Sequence, residues 1–179
     1  MAKIIDLEPM RNQIMVFKDR FDAGRVLGGM LKPVYRDLEN VFLLAIPMGG
    51  VPVAVKIGKI LECPVDLLIV RKIQIPGNTE AGFGAVTREG DVFLNEALVD
   101  SLRLTPEQIK LQIAKVSGEL DERNRRLRGG QPFPDLTGKT VVLVDDGLAS
   151  GFTMKAAIHI VEKRKAGKII VAVPTAPLQ

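Results

Sequence analysis

The feature that most constrains this chain is a strand-like apolar run, VVLV at 141–144, that ends in two adjacent carboxylates, Asp145 and Asp146. A turn of small residues follows, and Thr153 begins a helical pattern. This order predicts a strand, a turn and a helix of an α/β domain, in which ligands bind outside the carboxyl ends of the strands. The N–H groups at such a helix N-terminus favour a phosphate, and the carboxylates can accept hydrogen bonds from hydroxyl groups. The combination indicates a site for a phosphorylated sugar.

Continuous apolar segments alternate with helical patterns along the chain. The predicted strands cover residues 41–46, 65–70, 140–144 and 169–173. The predicted helices cover residues 19–34, 51–61, 105–128 and 153–165. Strands that are apolar throughout, separated by helices, are typical of a parallel sheet with both faces covered. A length of 179 residues suits a single domain, so we expect one α/β domain over residues 1–179.

Three other segments have distinct local signals. The stretch 73–84 contains a proline and three glycines, which predicts a mobile loop. Residues 85–87 and 92–94 can pair as a small hairpin. Thr105, followed by proline and by Gln108, is a strong helix start, and the helix is expected to end before two glycines at 129–130.

Composition restricts the possible functions. The net charge of +4 fits either nucleic acid or a small anionic substrate. Much of the excess lies in two helical runs, at 123–128 and 163–168, which are interpreted as solvated faces. One histidine and a lone Cys63 argue against a zinc site or a histidine-based triad. The single cysteine, the absence of a signal-peptide pattern and the lack of a membrane-length apolar run predict a cytoplasmic protein.

Two further segments follow predicted strands and could contact an anion. Met48, Gly49 and Gly50 lie between the first strand and a helix, where glycines let the backbone approach a phosphate closely. A tight strand-to-helix turn explains the same residues equally well. Arg71 and Lys72 end the second predicted strand, and one of the two cations could be merely solvated.

The segment 141–153 resembles the phosphoribosyl-pyrophosphate (PRPP) signature of the type I phosphoribosyltransferases, which has apolar residues, two acids, a short turn and then Ser/Thr, Gly and Thr. Four other segments are similar, in the same order, to a branch of predicted prokaryotic phosphoribosyltransferases: 17–31, 46–54, 70–86 and 171–177. The resemblance implies a three-layer fold with a mostly parallel central sheet of about five strands. It also implies a small hood built from the N-terminal segment and residues 73–94.

By this resemblance, each candidate residue has a role. Asp145 and Asp146 would bind the ribose hydroxyls, and both would hold Mg²⁺, mostly through water. The 5-phosphate would lie against Ala149, Ser150, Gly151, Phe152 and Thr153. The pyrophosphate would contact Met48, Gly49, Gly50, Arg71 and Lys72. Family analogy also implies a homodimer, while the lack of a membrane-length apolar run predicts no membrane partner.

The chain departs from the family pattern at three places. Met48 stands where the pyrophosphate loop often has Arg or Lys, and Phe152 stands where a second glycine is common. Members of the branch continue for some tens of residues past the segment at 171–177, whereas this sequence ends at Gln179. It is therefore interpreted as either a short form or a truncated one. Arg20 belongs to the branch's pattern at 19–25, but a helix cap and a solvated helix face explain that segment, so it is left out of the predicted site.

The resemblance implies a Mg²⁺-dependent glycosyltransferase (pentosyltransferase) of nucleotide metabolism, which moves a 5-phosphoribosyl group from PRPP to a nitrogenous base and releases pyrophosphate. The alternative is a non-catalytic regulator that binds PRPP or a ribose phosphate on the same fold, with nucleic acid as its target. Hydrolysis of a phosphorylated sugar is a weaker third candidate, because the sequence supplies no nucleophile. No residue in the sequence discriminates between acceptor bases.

Overall fold

A central parallel sheet and a small antiparallel sheet make up the β-structure in the computed structural model, which describes residues 3–35, 38–87, 90–148 and 151–177. The strands are β1 (Val41–Ala45), β2 (Val65–Leu67), β3 (Val70–Ile75), β4 (Asn78–Thr87), β5 (Val92–Leu94), β6 (Thr140–Val144) and β7 (Lys168–Ala172). The helices are α1 (Arg20–Tyr35), α2 (Gly50–Leu61), α3 (Glu96–Ser101), α4 (Pro106–Arg128) and α5 (Phe152–Lys163). A short 3-10 helix covers Glu8–Met10.

The central sheet has the strand order β2-β1-β6-β7, and all its pairs are parallel. Alternate residues of β1 and β6 face opposite layers. Leu43 and Val142 pack with α1 and α2, whereas Leu44 and Leu143 pack with α5. Every residue of β6 is buried. This three-layer arrangement confirms the predicted fold class, with four parallel strands in the described part of the chain where about five were expected.

Two sequence predictions were wrong between residues 65 and 84. The single strand expected at 65–70 is broken after Leu67, and β3 belongs to a second sheet with the order β3-β4-β5. The mobile loop expected at 73–84 is a hairpin whose two strands are separated by residues 76–77. The hairpin forms because Ile73 and Phe83 are completely buried in the core of this second sheet.

The glycines of β4 are explained by close cross-strand contacts. A Cβ on Gly82 would lie 2.2 Å from Cγ of Lys72, and one on Gly84 would lie 2.8 Å from the carbonyl oxygen of Phe93. These glycines therefore mark close backbone approach within a strand and not a loop. The hairpin predicted farther along is confirmed, since β4 pairs antiparallel with β5.

Helix α4 covers the second sheet. Val116 and Leu120 are buried against Ile73 and Phe83, with further apolar residues of α4 around them. Its predicted start is confirmed by a capping box: Thr105 accepts from the Gln108 N–H, and the Gln108 side chain accepts from the Thr105 N–H. The helix thus brings its charged residues alongside β3, which places them near the candidate site.

Helix α1 packs closely on α2 through small residues. A Cβ on Gly24 would lie 2.6 Å from the carbonyl oxygen of Val53, and one on Gly28 would lie 2.7 Å from Cδ1 of Ile60. Because α2 begins directly after the Gly49 turn, this packing also holds α1 close to the end of β1. None of the helices within the described residues has the length and apolar character that a membrane span requires.

Candidate active site

Asp145 and Asp146 lie directly after β6, which runs between β1 and β7 in the middle of the parallel sheet. Both side chains are partly buried, and the Asp146 N–H donates to Oδ1 of Asp145 at 2.8 Å. Desolvation raises the pKa of the Asp145 carboxyl from 3.8 to about 6; the hydrogen bond from Asp146 opposes this shift, and the neighbouring Asp146 charge adds to it. The fold therefore maintains a charged group here at a cost, which is typical of functional sites.

The turn between β1 and α2 packs directly against these carboxylates. A Cβ on Gly49 would lie 2.1 Å from Oδ2 of Asp146, and one on Gly50 would lie 2.9 Å from Cα of Asp145. The peptide bond between Pro47 and Met48 is cis, and the Met48 side chain is exposed. The structure therefore places the predicted Gly-Gly segment beside the two acids, because the parallel strands that precede them are neighbours.

Arg20, which the sequence analysis left out of the site, contacts it directly. Its Nε and Nη2 lie 2.8 and 2.7 Å from Oδ2 of Asp146. Arg20 is the first residue of α1, and 126 positions separate it from its partner. No local pattern reports a contact of this kind, and the shared packing of α1 on α2 is what brings the guanidinium to the carboxylate.

The structure describes only part of the segment 149–153, which was predicted to hold the 5-phosphate. Ala149 and Ser150 lie outside the described residues. Gly151 precedes α5 with φ of +70° and provides no side-chain cap, so the first N–H groups of the helix have no cap from that residue. Leu148, the last described residue before Ala149, donates its N–H to the carbonyl oxygen of Thr175 at 2.9 Å.

Arg71 and Lys72 lie inside β3 and do not end a strand of the central sheet, which corrects the sequence prediction. Because successive side chains of a strand point to opposite faces, Arg71 and Lys72 lie in different surroundings. Arg71 forms an ion pair with Glu119 of α4. Lys72 borders a separate open cavity of about 760 Å³, which is also lined by Thr153 at the start of α5.

A cavity of about 400 Å³ lies where Arg71, Met48 and α4 meet. Its charged lining consists of Arg71, Arg123, Arg126, Glu119 and Glu122, which leaves an excess of one positive charge. Within the described chain neither Arg123 nor Arg126 makes an ion pair. From the sequence, both arginines were expected on a solvated face and not beside the predicted pyrophosphate residues.

The interpretation of the 123–128 run as solvated was wrong for its last member. Arg128 is buried, and its Nη2 lies 2.6 Å from Oδ2 of Asp66 and 2.9 Å from the carbonyl oxygen of Pro132. This arginine therefore ties the end of α4 to β2. The other arginines of the run remain close to the cavity or exposed to solvent.

The family model of the phosphoribosyl transferase domain matches residues 21–179. The chain belongs to this family. Two curated Mycobacterium tuberculosis proteins, from strains CDC 1551 and H37Rv, are named provisionally as phosphoribosyl transferases. Each is 39% identical over 162 residues, which is 90% of this chain and 36% of the relative. The chain thus spans little more than a third of the length of these relatives.

Two solved structures are similar to this chain in fold. The crystal structure of TT1426 from Thermus thermophilus is 36% identical with a TM-score of 0.77, over 90% of this chain and 76% of the other. A hypoxanthine phosphoribosyltransferase from Staphylococcus aureus is 13% identical with a TM-score of 0.54, over 93% of this chain and 77% of the other. At that identity the second similarity concerns the fold alone.

Proposed function

We propose that this phosphoribosyl transferase domain binds PRPP at the carboxyl ends of β1 and β6 and transfers its 5-phosphoribosyl group to a nitrogenous base. The observation that carries the proposal is the packing of Gly49 against the Asp146 carboxylate, with Asp145 beside it. The glycine turn, whose backbone a ligand can approach closely, and two carboxylates that can accept hydrogen bonds from hydroxyl groups would then contact the same ligand. The family membership of the chain supports the same chemistry.

Each end of PRPP has a matching surface. The N-terminus of α5, with Gly151 and Thr153, suits the 5-phosphate because its N–H groups and the helix dipole favour an anion. The cavity beside Met48 suits the pyrophosphate, since its lining carries excess positive charge from Arg71 and the α4 arginines. Asp145 and Asp146 begin the segment that leads to α5 and lie beside the Gly49–Gly50 backbone before α2. They are proposed to accept hydrogen bonds from the ribose hydroxyls.

The residues present also fit Mg²⁺. The two neighbouring carboxylates provide hard oxygen ligands, while the described residues contain no cluster of three or more candidate metal ligands. This suits an ion that keeps several waters and takes its other oxygens from a phosphorylated substrate. When bound, Mg²⁺ would offset charge on the pyrophosphate leaving group. Asp145 and Asp146 are the residues that would hold it.

In the proposed reaction, the bond from the ribose C1 to the pyrophosphate oxygen breaks, and a bond from C1 to a nitrogen of the base forms. Positive charge develops on the ribose ring as the first bond stretches. The negative charges of Asp145 and Asp146 favour that positive charge, and they do so without reorganisation because the two side chains are in place before the reaction. Preorganised groups of this kind are worth about 3–4 kcal/mol each in comparable sites.

A pyrophosphate-release assay tests this function. The purified protein is incubated with PRPP, Mg²⁺ and a panel of purines, pyrimidines and small amines, and Asp145→Asn serves as the inactive control. Release that requires all three components, and that the variant loses, supports the transferase. Binding of PRPP without release by any acceptor would contradict it and would support the regulator. The exposed Met48 and the engagement of Arg71 by Glu119 are the observations that favour this second candidate.

A further inference from the structure

The contact between Arg20 and Asp146 uses only one oxygen of the carboxylate. Both Nε and Nη2 of Arg20 are within 2.8 Å of Oδ2. Oδ1 of Asp146 receives no hydrogen bond from Arg20 in this arrangement. The guanidinium therefore holds the carboxylate through Oδ2 and does not engage Oδ1.

The two acids closest to Arg20 in the chain, Asp19 and Asp22, have other partners. Asp19 accepts from the Asp22 N–H at 2.8 Å, as a helix cap does. Asp22 forms an ion pair with Arg25 at 2.9 Å and accepts from the Lys18 N–H at 3.3 Å. The side chain of Arg20 is left to pair with Asp146, on another element.

The carboxylate is confined on a second side by the turn after β1. The atoms Oδ2, Cγ and Oδ1 of Asp146 lie 2.1, 2.3 and 2.6 Å from the position of a Cβ on Gly49. Arg20 and the Gly49 backbone belong to elements that are locked together, since α1 packs on α2 through Gly24. The orientation of Asp146 thus depends on α1 as well as on its own strand.

The ion pair between Arg20 and Asp146 is too exposed to contribute much to the stability of the fold. The side chains of Arg20 and Asp146 are 59% and 33% exposed, and pairs of this kind contribute about 0–1 kcal/mol to folding. The pair between Arg25 and Asp22, one turn farther along α1, is matched in this respect, with side chains 62% and 23% exposed. The two pairs differ in that only Arg20 contacts a residue of the proposed site.

We propose that Arg20 is a positioning residue, which orients the Asp146 carboxylate so that Oδ1, the oxygen that Arg20 does not contact, accepts a ribose hydroxyl of PRPP. The inference rests on the proposed function. It assigns to α1 a part in the site that neither the sequence pattern nor the family comparison provides. Arg20 acts through Asp146, so its removal should have little effect once that carboxylate has been neutralised.

A double-mutant cycle in PRPP affinity tests this role. The dissociation constant of PRPP with Mg²⁺ is measured by calorimetry for the wild type, Arg20→Ala, Asp146→Asn and the double variant. Ligand at millimolar concentration keeps weak binding measurable. Arg20→Ala should weaken binding about tenfold, and its effect should largely disappear in the Asp146→Asn background, as expected for two residues in direct contact.

Two further variants separate positioning from a merely structural role. Arg20→Lys keeps the charge and should restore part of the affinity. Arg25→Ala removes the matched ion pair and should leave the affinity unchanged, while its melting temperature shifts as little as that of Arg20→Ala. If the wild type binds PRPP and Arg20→Ala binds equally well, or if the two losses simply add, the positioning role is overturned and the proposed function stands. A wild type that binds no PRPP overturns both.

Discussion

The carboxylate of Asp146 and the backbone of Gly49 lie so close together that a Cβ on Gly49 would stand 2.1 Å from Oδ2. These residues come from two different strand ends, and only glycine permits the contact. The backbone of Gly49 is itself ordinary, with φ of −62° and ψ of −38°. Glycine is therefore required at position 49 because a side chain would collide with the Asp146 carboxylate, and not because of the backbone conformation.

Gly49→Ala should impair ligand binding far more than folding. The added methyl group must displace the end of the Asp146 side chain, whereas the helical backbone accepts alanine without strain. We expect PRPP affinity to fall by at least about tenfold and stability to change by about 1 kcal/mol or less. Calorimetry and thermal unfolding measure the two effects.

Gly29→Ala is the matched control for that substitution, because a Cβ there has no atom within 4 Å. It should bind PRPP normally and be slightly more stable, since alanine favours a helix over glycine. A Gly49→Ala protein that binds PRPP as tightly as this control would show that the contact with Asp146 has no functional role.

Asp145→Asn should stabilise the fold at neutral pH while abolishing transfer. The pKa of Asp145 is raised from 3.8 to about 6 in the folded protein, so the folded state binds this proton more tightly than the unfolded chain does. Stability is therefore lost as pH rises from about 4 to above 6, and asparagine avoids that loss. With allowance for solvent screening of a half-buried group, the gain at pH 8 should be about 1 kcal/mol.

Denaturant unfolding at pH 5 and pH 8 measures whether Asp145→Asn raises or lowers the free energy of unfolding. The difference between Asp145→Asn and the wild type should be present at pH 8 and smaller at pH 5. The variant should bind PRPP weakly at both values. A variant that is less stable than the wild type at pH 8 would contradict the account of Asp145 as a carboxylate held at a cost to stability.

Arg123 and Arg126 of α4, which line the cavity, should contribute to binding of the pyrophosphate group and not to binding of ribose 5-phosphate. Arg123→Ala and Arg126→Ala, alone and combined, should weaken binding of PRPP while leaving ribose 5-phosphate unaffected. Arg123 and Arg126 line the cavity beside Met48, whereas Arg125 of the same helix is exposed and does not line it. Arg125→Ala is accordingly the control. Equal losses for PRPP and ribose 5-phosphate would exclude a pyrophosphate-specific role for these arginines.

Arg128→Ala should destabilise the protein strongly. It removes a buried guanidinium and leaves Asp66, at 2.6 Å from Nη2 of Arg128, without this partner. Breaking a buried ion pair from one side costs about 3 kcal/mol or more. Chemical denaturation of the variant measures the loss, and a change below about 1 kcal/mol would show that the pair contributes little.

The regular elements could be predicted because their signals are local. Strand β6 is a continuous apolar run, and α4 begins at a capping box that the structure confirms. The hairpin of β3 and β4 could not be predicted, because glycines and a proline outweighed the apolar residues in the pattern. Its stability comes from burying Ile73 and Phe83 under a helix that follows much later in the chain.

In the candidate site, too, some features could be predicted from the sequence and others depend on tertiary packing. The sequence pattern places Gly49 and Asp146 at the same edge of the sheet, because both follow parallel strands. That β1 and β6 are neighbours, which brings the two residues into contact, is seen only in the structure. The partners of Arg20 and Arg71 do not follow from the sequence pattern. Arg20 meets Asp146 and Arg71 meets Glu119 through the packing of α1 and α4, and neither helix carries a local signal for its distant partner.

Calorimetric titration of the purified chain with PRPP, with and without Mg²⁺, beside ribose 5-phosphate, tests the proposed PRPP site directly. We expect PRPP to bind more tightly than ribose 5-phosphate and Mg²⁺ to increase the difference, because both phosphate ends and the carboxylates contribute. Equal affinity for the two ligands would contradict the pyrophosphate site. Failure to bind either ligand would contradict the PRPP site as a whole.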